Sequence, residues 1–275
     1  MNTPSNETTQ TWPLTRLGLK VLDISPCLDY YTRLGLSVIK DQSAEGIIAL
    51  GVDSRELLSL RVLPGGLPRP PRTAGLYHFA LLVPNEVELG SFLQHCLSQS
   101  IPLEGASDHQ VSQALYLRDP EGNGIEVYAD RPRASWQRRG AGIRMTTLPL
   151  NSDALLKKAQ PFAGFSSALR LGHMHLNVGD IQRSTAFYQN LGLQLTADIP
   201  GQASFLSWDG YHHHLGINLW EGRHVPGVEP GVSGLDFFEI ERPTLSPDTL
   251  KDPDGVTVVV KTPPYEEVSP RASSA

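Results

Sequence analysis

Cysteine and long apolar runs are scarce in this sequence. Its 275 residues include two cysteines, Cys27 and Cys96, whose spacing matches neither a disulfide framework nor a thiolate metal site. Both sit in helix-like apolar patterns and read as core thiols. No run is long enough to span a bilayer, and no basic start followed by an apolar stretch opens the chain, so neither anchor nor secretory signal is expected. Excess positive charge is missing too: 23 Lys and Arg stand against 29 Asp and Glu, a net charge of -6. That balance argues against nucleic acid or an anionic membrane surface as partner. A cytoplasmic protein acting on a small molecule is expected. What is present is ordinary globular material, 40% hydrophobic and 19% charged, in a chain long enough for two domains with substantial cores.

Organisation along the chain is repetitive. Residues 14–63 read as a strand, a helix over 25–34 closed by Gly35, and three further strands, before a Pro- and Gly-rich loop over 64–71. The same order recurs in GLYHFALLVP (75–84), a helix over 87–98, IPLEGASDHQVS, QALYLRD and GIEVYAD. A third copy begins at LGHMHLNVGDIQRSTAFYQNLGLQLT (171–196), where Tyr188 and LGL at 191–193 answer Tyr31 and LGL at 34–36. ASFLSWDG and HHLGINLW complete it. A fourth opens at GLDFFEIERP (234–243) but runs into LKDPDGVTVVVK without room for a full helix. The expected class is therefore α+β, four β-α-β-β-β modules with the fourth truncated. The drawn boundaries are 13–131 for modules one and two, a surface linker over 132–168 with a helix at 152–159, and 169–262 for modules three and four. Residues 1–12 and the tail from 263 read as loose.

One carboxylate stands out. In GNGIEVYAD, strand alternation sends Ile125 and Val127 to one face and Glu126 and Tyr128 to the other, and no local cation neutralises Glu126. Such a carboxylate must face solvent, be protonated, pair with a base or bind a cation. The residues alone leave these alternatives open. The DPEGN and DPDG segments are turn chemistry and need no catalytic role.

Repeated β-α-β-β-β units, a first-strand His and the ending DP-x-G-N-x-I-E together resemble the vicinal oxygen chelate superfamily of glyoxalases, bleomycin-resistance proteins and extradiol dioxygenases. Within it, GLYHFALLVP, SDHQVSQALYLRDPEGNGIEVYADRPRASWQ and GYHHHLGINLW are similar to the bacterial catechol 2,3-dioxygenases of the CatE type. The resemblance covers nearly the whole chain except its tails. It implies that two modules pair into a half-open barrel whose inner face carries a divalent metal, Fe(II) or alternatively Mn(II). It also implies the ligands: His78, five residues before Val83, His173, five before Val178, and Glu126 in a last strand. The first copy offers Arg16 and the fourth Phe237 at the His position, and GVTVVVK has no Glu. Familiar two-domain extradiol enzymes draw their ligands from modules three and four. Here the set comes from modules two and three, so these two are expected to pair, within one chain or across a dimer, and a homo-oligomer is expected.

Further roles follow from the same resemblance. His213, at the start of the strand LGI, matches a His that stands beside the substrate without binding metal, and imidazole chemistry suits it to acid–base work. Tyr116 matches a tyrosine that hydrogen-bonds a substrate oxygen. His109, His212 and Tyr211 are assigned to substrate binding. The implied activity is ring cleavage by O2 of a catechol or a substituted catechol or hydroquinone. Two rivals share the scaffold: a Zn- or Ni-dependent lyase or isomerase of the glyoxalase kind, which usually has a second carboxylate ligand, and a metal-free protein that sequesters an aromatic drug.

Overall fold

The structure, a computed structural model, describes residues 12–140 and 142–263. Of the segments expected to be loose, 1–12 and 263–275, residues 1–11 and 264–275 lie outside the described residues, whereas Trp12 is held, its Nε1 donating to Leu171 O at 2.6 Å and its ring 5.0 Å from that of Tyr211. Module one comprises β1 (Leu14–Val21), α1 (Ile24–Arg33), β2 (Ser37–Gln42), β3 (Ile47–Val52) and β4 (Arg55–Val62). Module two comprises β5 (Gly75–Val83), α2 (Glu86–Ser98), β6 (Gly105–Asp108), β7 (Ser112–Arg118) and β8 (Gly124–Asp130). Between the halves lie β9 (Arg138–Arg139), β10 (Gly142–Ile143), β11 (Leu148–Pro149) and α3 (Ser152–Leu156). Module three has β12 (Arg170–Asn177), α4 (Ile181–Asn190), β13 (Gln194–Ile199), β14 (Ala203–Ser207) and β15 (Leu215–Asn218). Module four is cut to β16 (Gly234–Glu241), β17 (Asp248–Lys251) and β18 (Thr257–Lys261), with no helix.

Local chemistry explains the recurring order. Each module helix starts at a side-chain cap: Asp23 accepts from Ser25 N, Asn85 from Val87 N and Glu88 N, and Asp180 from Gln182 N and Arg183 N. The glycines of the two LGL motifs, Gly35 and Gly192, have φ of 106° and 87°. Those positive angles turn the chain out of the helix at little cost. The matched tyrosines have matched partners. Tyr31 donates to Asp119 Oδ2 at 2.8 Å and Tyr188 donates to Asp252 Oδ2 at 2.8 Å. Each aspartate also caps its own DP-x-G turn through backbone amides, so each helix is tied to the turn of the module that follows.

Strand pairing groups the modules differently from their order in the chain. One sheet runs β17-β18-β16-β1-β4-β3-β2 and the other β11-β6-β7-β8-β5-β12-β15-β14-β13. First strands join antiparallel, β1 with β16 and β5 with β12. Module one thus shares a sheet with module four and module two with module three, so neither sheet is confined to 13–131 or to 169–262. The pairing of modules two and three needs no second chain. The segment drawn as a surface linker is also partly internal. β11 extends the second sheet beside β6, Trp136 and Ile143 are buried with Val111 and Tyr211, and Leu155 and Phe165 enter the main core. Its helix ends at Leu156, short of the expected 159.

Period-two alternation sorts the side chains of the second sheet. Phe79, Leu81, Ile125, Val127, Leu115, Met174 and Leu176 enter the main hydrophobic core, whereas Ala80, Ala114 and Tyr128 form a separate cluster on the opposite face. That opposite face is the interior of the half-barrel. Contact there is tight at Gly172, where the β5–β12 register shifts between Leu171 and His173. A Cβ on Gly172 would sit 2.1 Å from the Tyr128 hydroxyl. Gly172→Ala is therefore expected to lose about 1–3 kcal/mol of stability through overpacking, read as a drop of several degrees in Tm. An unchanged Tm would show that this wall gives way easily.

Among the described residues the first sheet holds no group of three potential metal ligands; its charged side chains pair with one another. Its Arg16 ion-pairs with Glu56 at 2.8 Å and Glu239 at 3.1 Å, and its guanidinium lies 5.2 Å from the Phe237 ring centroid. Lys261 pairs with Glu239 at 2.7 Å. By register, Ser59 and Val259 stand where the second sheet has Glu126.

Candidate metal centre and cavity

Three neighbouring strands of the second sheet carry the candidate ligands. Parallel pairing sets Glu126 on β8 beside Ala80 on β5, and antiparallel pairing sets Ala80 beside His173 on β12. Tyr116 on β7 pairs with Glu126, so one row across the sheet reads Tyr116, Glu126, Ala80, His173. Because Ala80 is only a methyl, Glu126 and His173 can lean toward each other above it. His78 lies one row away, flanked by Gly124 and His175. Gly124 is required there, since a Cβ would meet Tyr77 O at 2.3 Å and His78 Cβ at 3.0 Å.

The result is a small triangle. His78 Nε2 and His173 Nε2 lie 3.1 and 3.2 Å from Glu126 Oε2 and 3.2 Å from each other. All three residues are buried, and they form the only group of three or more potential ligands among the described residues. Burial lowers the His173 imidazole to about 4, despite the opposing pull of Glu126. Burial would raise the Glu126 carboxyl, but its contacts with His173 and His78 outweigh that and hold it well below the usual range. Near neutral pH this leaves an ionised carboxylate beside a neutral His173. Protons alone close such a triangle poorly, because they place two N–H donors 3.2 Å apart. Three lone pairs shared by one cation remove that conflict. Edges of 3.1–3.2 Å also suit three mutually adjacent donors of a six-coordinate cation with bonds of about 2.2 Å.

Above the triangle opens a cavity of about 570 Å3, within the ~300–1,000 Å3 of small-molecule sites. His78, Glu126, Tyr116, His109 and His213 line it. Tyr116 and His109 are coupled, with Tyr116 OH 2.7 Å from His109 Nε2, while His109 Nδ1 meets Thr146 O at 2.7 Å. His213 stacks near His173, with ring centroids 4.2 Å apart, and burial holds its imidazole well below its usual value, hence neutral. Of the three consecutive histidines, which lie just before β15 and outside the strands, His213 alone lines the cavity, while its neighbour His212 bonds to it from behind, Nδ1 to Nδ1 at 2.7 Å.

Of the residues assigned to substrate binding, His109 lines the cavity, and Tyr211 and His212 do not. Tyr211 is packed with Val111, Trp136 and Ile143, and its hydroxyl is 2.8 Å from Tyr128 OH and 3.1 Å from Asp130 Oδ1. His212 is fully buried, with Nε2 2.9 Å from Asp130 Oδ1. Both lie on the side of the strand start that the Trp136 segment covers.

Sequence reasoning also missed part of the wall. His175, Tyr77 and Trp220 line the cavity and cluster, with His175–Trp220 and Tyr77–Trp220 centroids 5.1 and 4.9 Å apart. The signal for His175 was available in HMH, since residues i and i+2 of a strand share a face. Nothing local pointed to Trp220, just past the end of β15.

Comparison with known proteins agrees with this architecture. The sequence profile of the Glyoxalase/Bleomycin resistance protein/Dioxygenase superfamily matches residues 14–127 and 170–227. A protein of Bacillus subtilis (strain 168) named catechol-2,3-dioxygenase is 40% identical over 234 residues, 82% of this chain and 81% of that one. Among solved structures, the cppA protein of Streptococcus pneumoniae TIGR4 superposes with a TM-score of 0.57 at 16% identity, covering 91% of this chain and 98% of that one. Glyoxalase I of Zea mays gives 0.55 at 17% identity, covering 90% and 91%. These two likenesses speak for the fold alone. With its profile match, its relative and its paired half-barrels, the chain belongs to the glyoxalase/bleomycin resistance protein/dioxygenase superfamily.

Proposed function

We propose that the protein is an extradiol ring-cleaving dioxygenase that opens a catechol-type diol with O2 at a non-heme Fe(II) held by His78, His173 and Glu126. The observation that carries the reading is the triangle of two imidazole nitrogens and one carboxylate oxygen, of which His78 and Glu126 line the cavity and His173 lies just beneath them. The relative named catechol-2,3-dioxygenase supports it. Two neutral imidazoles and one carboxylate leave neighbouring positions free on a bound metal. When bound, Fe(II) supplies the sites at which the two vicinal diol oxygens and O2 meet, and the electrons that activate O2.

The chain's own residues do the rest. His213, neutral and facing the cavity, takes a proton from a diol hydroxyl and returns it later, as a general base and acid. Tyr116, kept protonated because burial raises its hydroxyl far above the usual range, gives that proton to His109 Nε2, whose ring donates from Nδ1 to Thr146 O, and its oxygen accepts from a substrate hydroxyl. His109 holds that hydroxyl in place through its 2.7 Å contact. The aromatic wall of Tyr77 and Trp220 takes the face or edge of the substrate ring. Both atoms of O2 end in the ring-opened product, a yellow semialdehyde when catechol is the substrate.

Loading the protein anaerobically with Fe(II), then adding catechol and air, is expected to give yellow colour with one O2 consumed per product. No colour and no O2 uptake with any simple catechol or hydroquinone would sink the reading. Equal turnover with Mn(II) would change the metal and leave the reaction. A glyoxalase-type reaction usually takes a second carboxylate ligand, and none joins the cluster among the described residues. Turnover of a hemithioacetal with Zn(II) or Ni(II) would nevertheless favour it.

A further inference from the structure

Behind the cavity, His213 is the first member of a chain of hydrogen bonds that leads away from the metal centre. His213 Nδ1 lies 2.7 Å from His212 Nδ1, and His212 Nε2 lies 2.9 Å from Asp130 Oδ1. Asp130 Oδ1 also accepts from the Tyr211 hydroxyl at 3.1 Å, and Tyr211 meets Tyr128 OH at 2.8 Å. The carboxylate is thus anchored independently of the histidines. His212 is fully buried and does not line the cavity, so any influence it has on substrate passes through His213.

The roles of the four nitrogens follow in sequence. An ionised carboxylate can only accept, so His212 Nε2 carries a proton. With one proton on each ring, the His212 lone pair lies on Nδ1. His213 Nδ1, 2.7 Å from it, is then the donor, and the His213 lone pair lies on Nε2. We propose that Asp130 and His212 are positioning residues which hold His213 in the Nδ1–H tautomer, so that the basic Nε2 faces the cavity. The inference rests on the reading of His213 as the acid–base residue. When Nε2 takes a proton from a substrate hydroxyl, the O–H bond breaks and the N–H bond forms on His213. The new positive charge is shared over that ring and faces the His212 dipole and the Asp130 carboxylate behind it. No proton need leave His212.

The test has two arms. In the first, long-range 1H–15N correlation spectra of the full chain labelled with 15N-histidine read the tautomer directly, with His213 assigned by its disappearance in His213→Asn. The wild-type protein is expected to show His213 protonated at Nδ1 and not at Nε2, and His212→Leu and Asp130→Ala to lose that preference. A wild-type His213 protonated at Nε2, or a tautomer unchanged in both variants, would overturn the proposal. This arm needs no turnover, so an inactive protein with the expected tautomer would count against ring cleavage and not against the positioning role.

The second arm is kinetic. His212→Leu is expected to lower kcat about 10–100-fold, the usual cost of removing an outer supporting partner, with KM changed less than ~3-fold and metal content unchanged. His212→Gln, whose side-chain oxygen can accept from Nδ1–H, should recover most of the loss. Equal losses in the Leu and Gln variants would mean that His212 only fills space. Should His212→Leu not fold, Asp130→Ala against His212→Gln makes the same comparison.

Discussion

Glu126→Gln is expected to leave a folded protein that no longer holds metal. Glu126 is 3% exposed, and its Oε2 is the single oxygen that both imidazoles approach. Gln preserves the shape but removes the negative charge, and its amide can turn an N–H toward the same point. Turnover should fall by more than the ~100-fold that follows loss of an outer-sphere partner. The cleaner reading is thermal. A metal present at 100 times its dissociation constant stabilises the wild-type fold by about 2.7 kcal/mol, which should appear as a rise in Tm on adding Fe(II) anaerobically. The variant should show no rise, and metal analysis after desalting should find it nearly empty. Stoichiometric iron with full turnover in purified Glu126→Gln would refute the ligand assignment.

His213→Asn separates chemistry from metal binding. Its ring stands 4.2 Å from His173 and 5.2 Å from Phe205 by centroid, so Asn trims the wall without entering the triangle. Loss of a positioned acid–base group costs about 10²–10⁴ in rate. That loss should fall on kcat, with iron content unchanged and KM for the diol shifted little. If iron were lost along with activity, His213 would belong to the metal's own shell. Activity near wild type would move the proton traffic to another group, with His109, Tyr116, His175 and Tyr77 as candidates on the cavity wall.

Both expectations could be reached from sequence. Glu126, His78 and His173 were reached through the family resemblance, whose motifs are short and local: alternation alone put Glu126 opposite Ile125 and Val127 and left its partner open. His213 came from the same resemblance, through LGI. Tyr211 and His212 were not legible in this way. They lie just before β15 in a segment outside the strands, and their direction is set by Trp136 and Asp130, which come from 76 to 82 positions earlier in the chain and cover the back of the site.

The drawn boundaries followed chain order, whereas each sheet joins modules from both halves. Repeats of one kind offer each first strand several equally regular partners, and short connections favour neighbours in the chain. The two sheets differ in what their inner faces carry. Arg16, Glu56 and Glu239 satisfy one another in the sheet of modules one and four, while two imidazoles and a carboxylate meet in the sheet of modules two and three. By itself the sequence determined the α+β class, the four modules with the last cut short, the glycine that closes the first helix and the DP-x-G turns, and its resemblance to the family added the three candidate ligands. All of these rest on motifs a few residues long. Only the tertiary structure decided that β5 pairs with β12 and β1 with β16, that the linker closes the back of the site, and that Asp130 stands behind His212. Those contacts join residues far apart in the chain, whose approach depends on side chains filling shared space and satisfying one another's charges, which no local periodicity encodes.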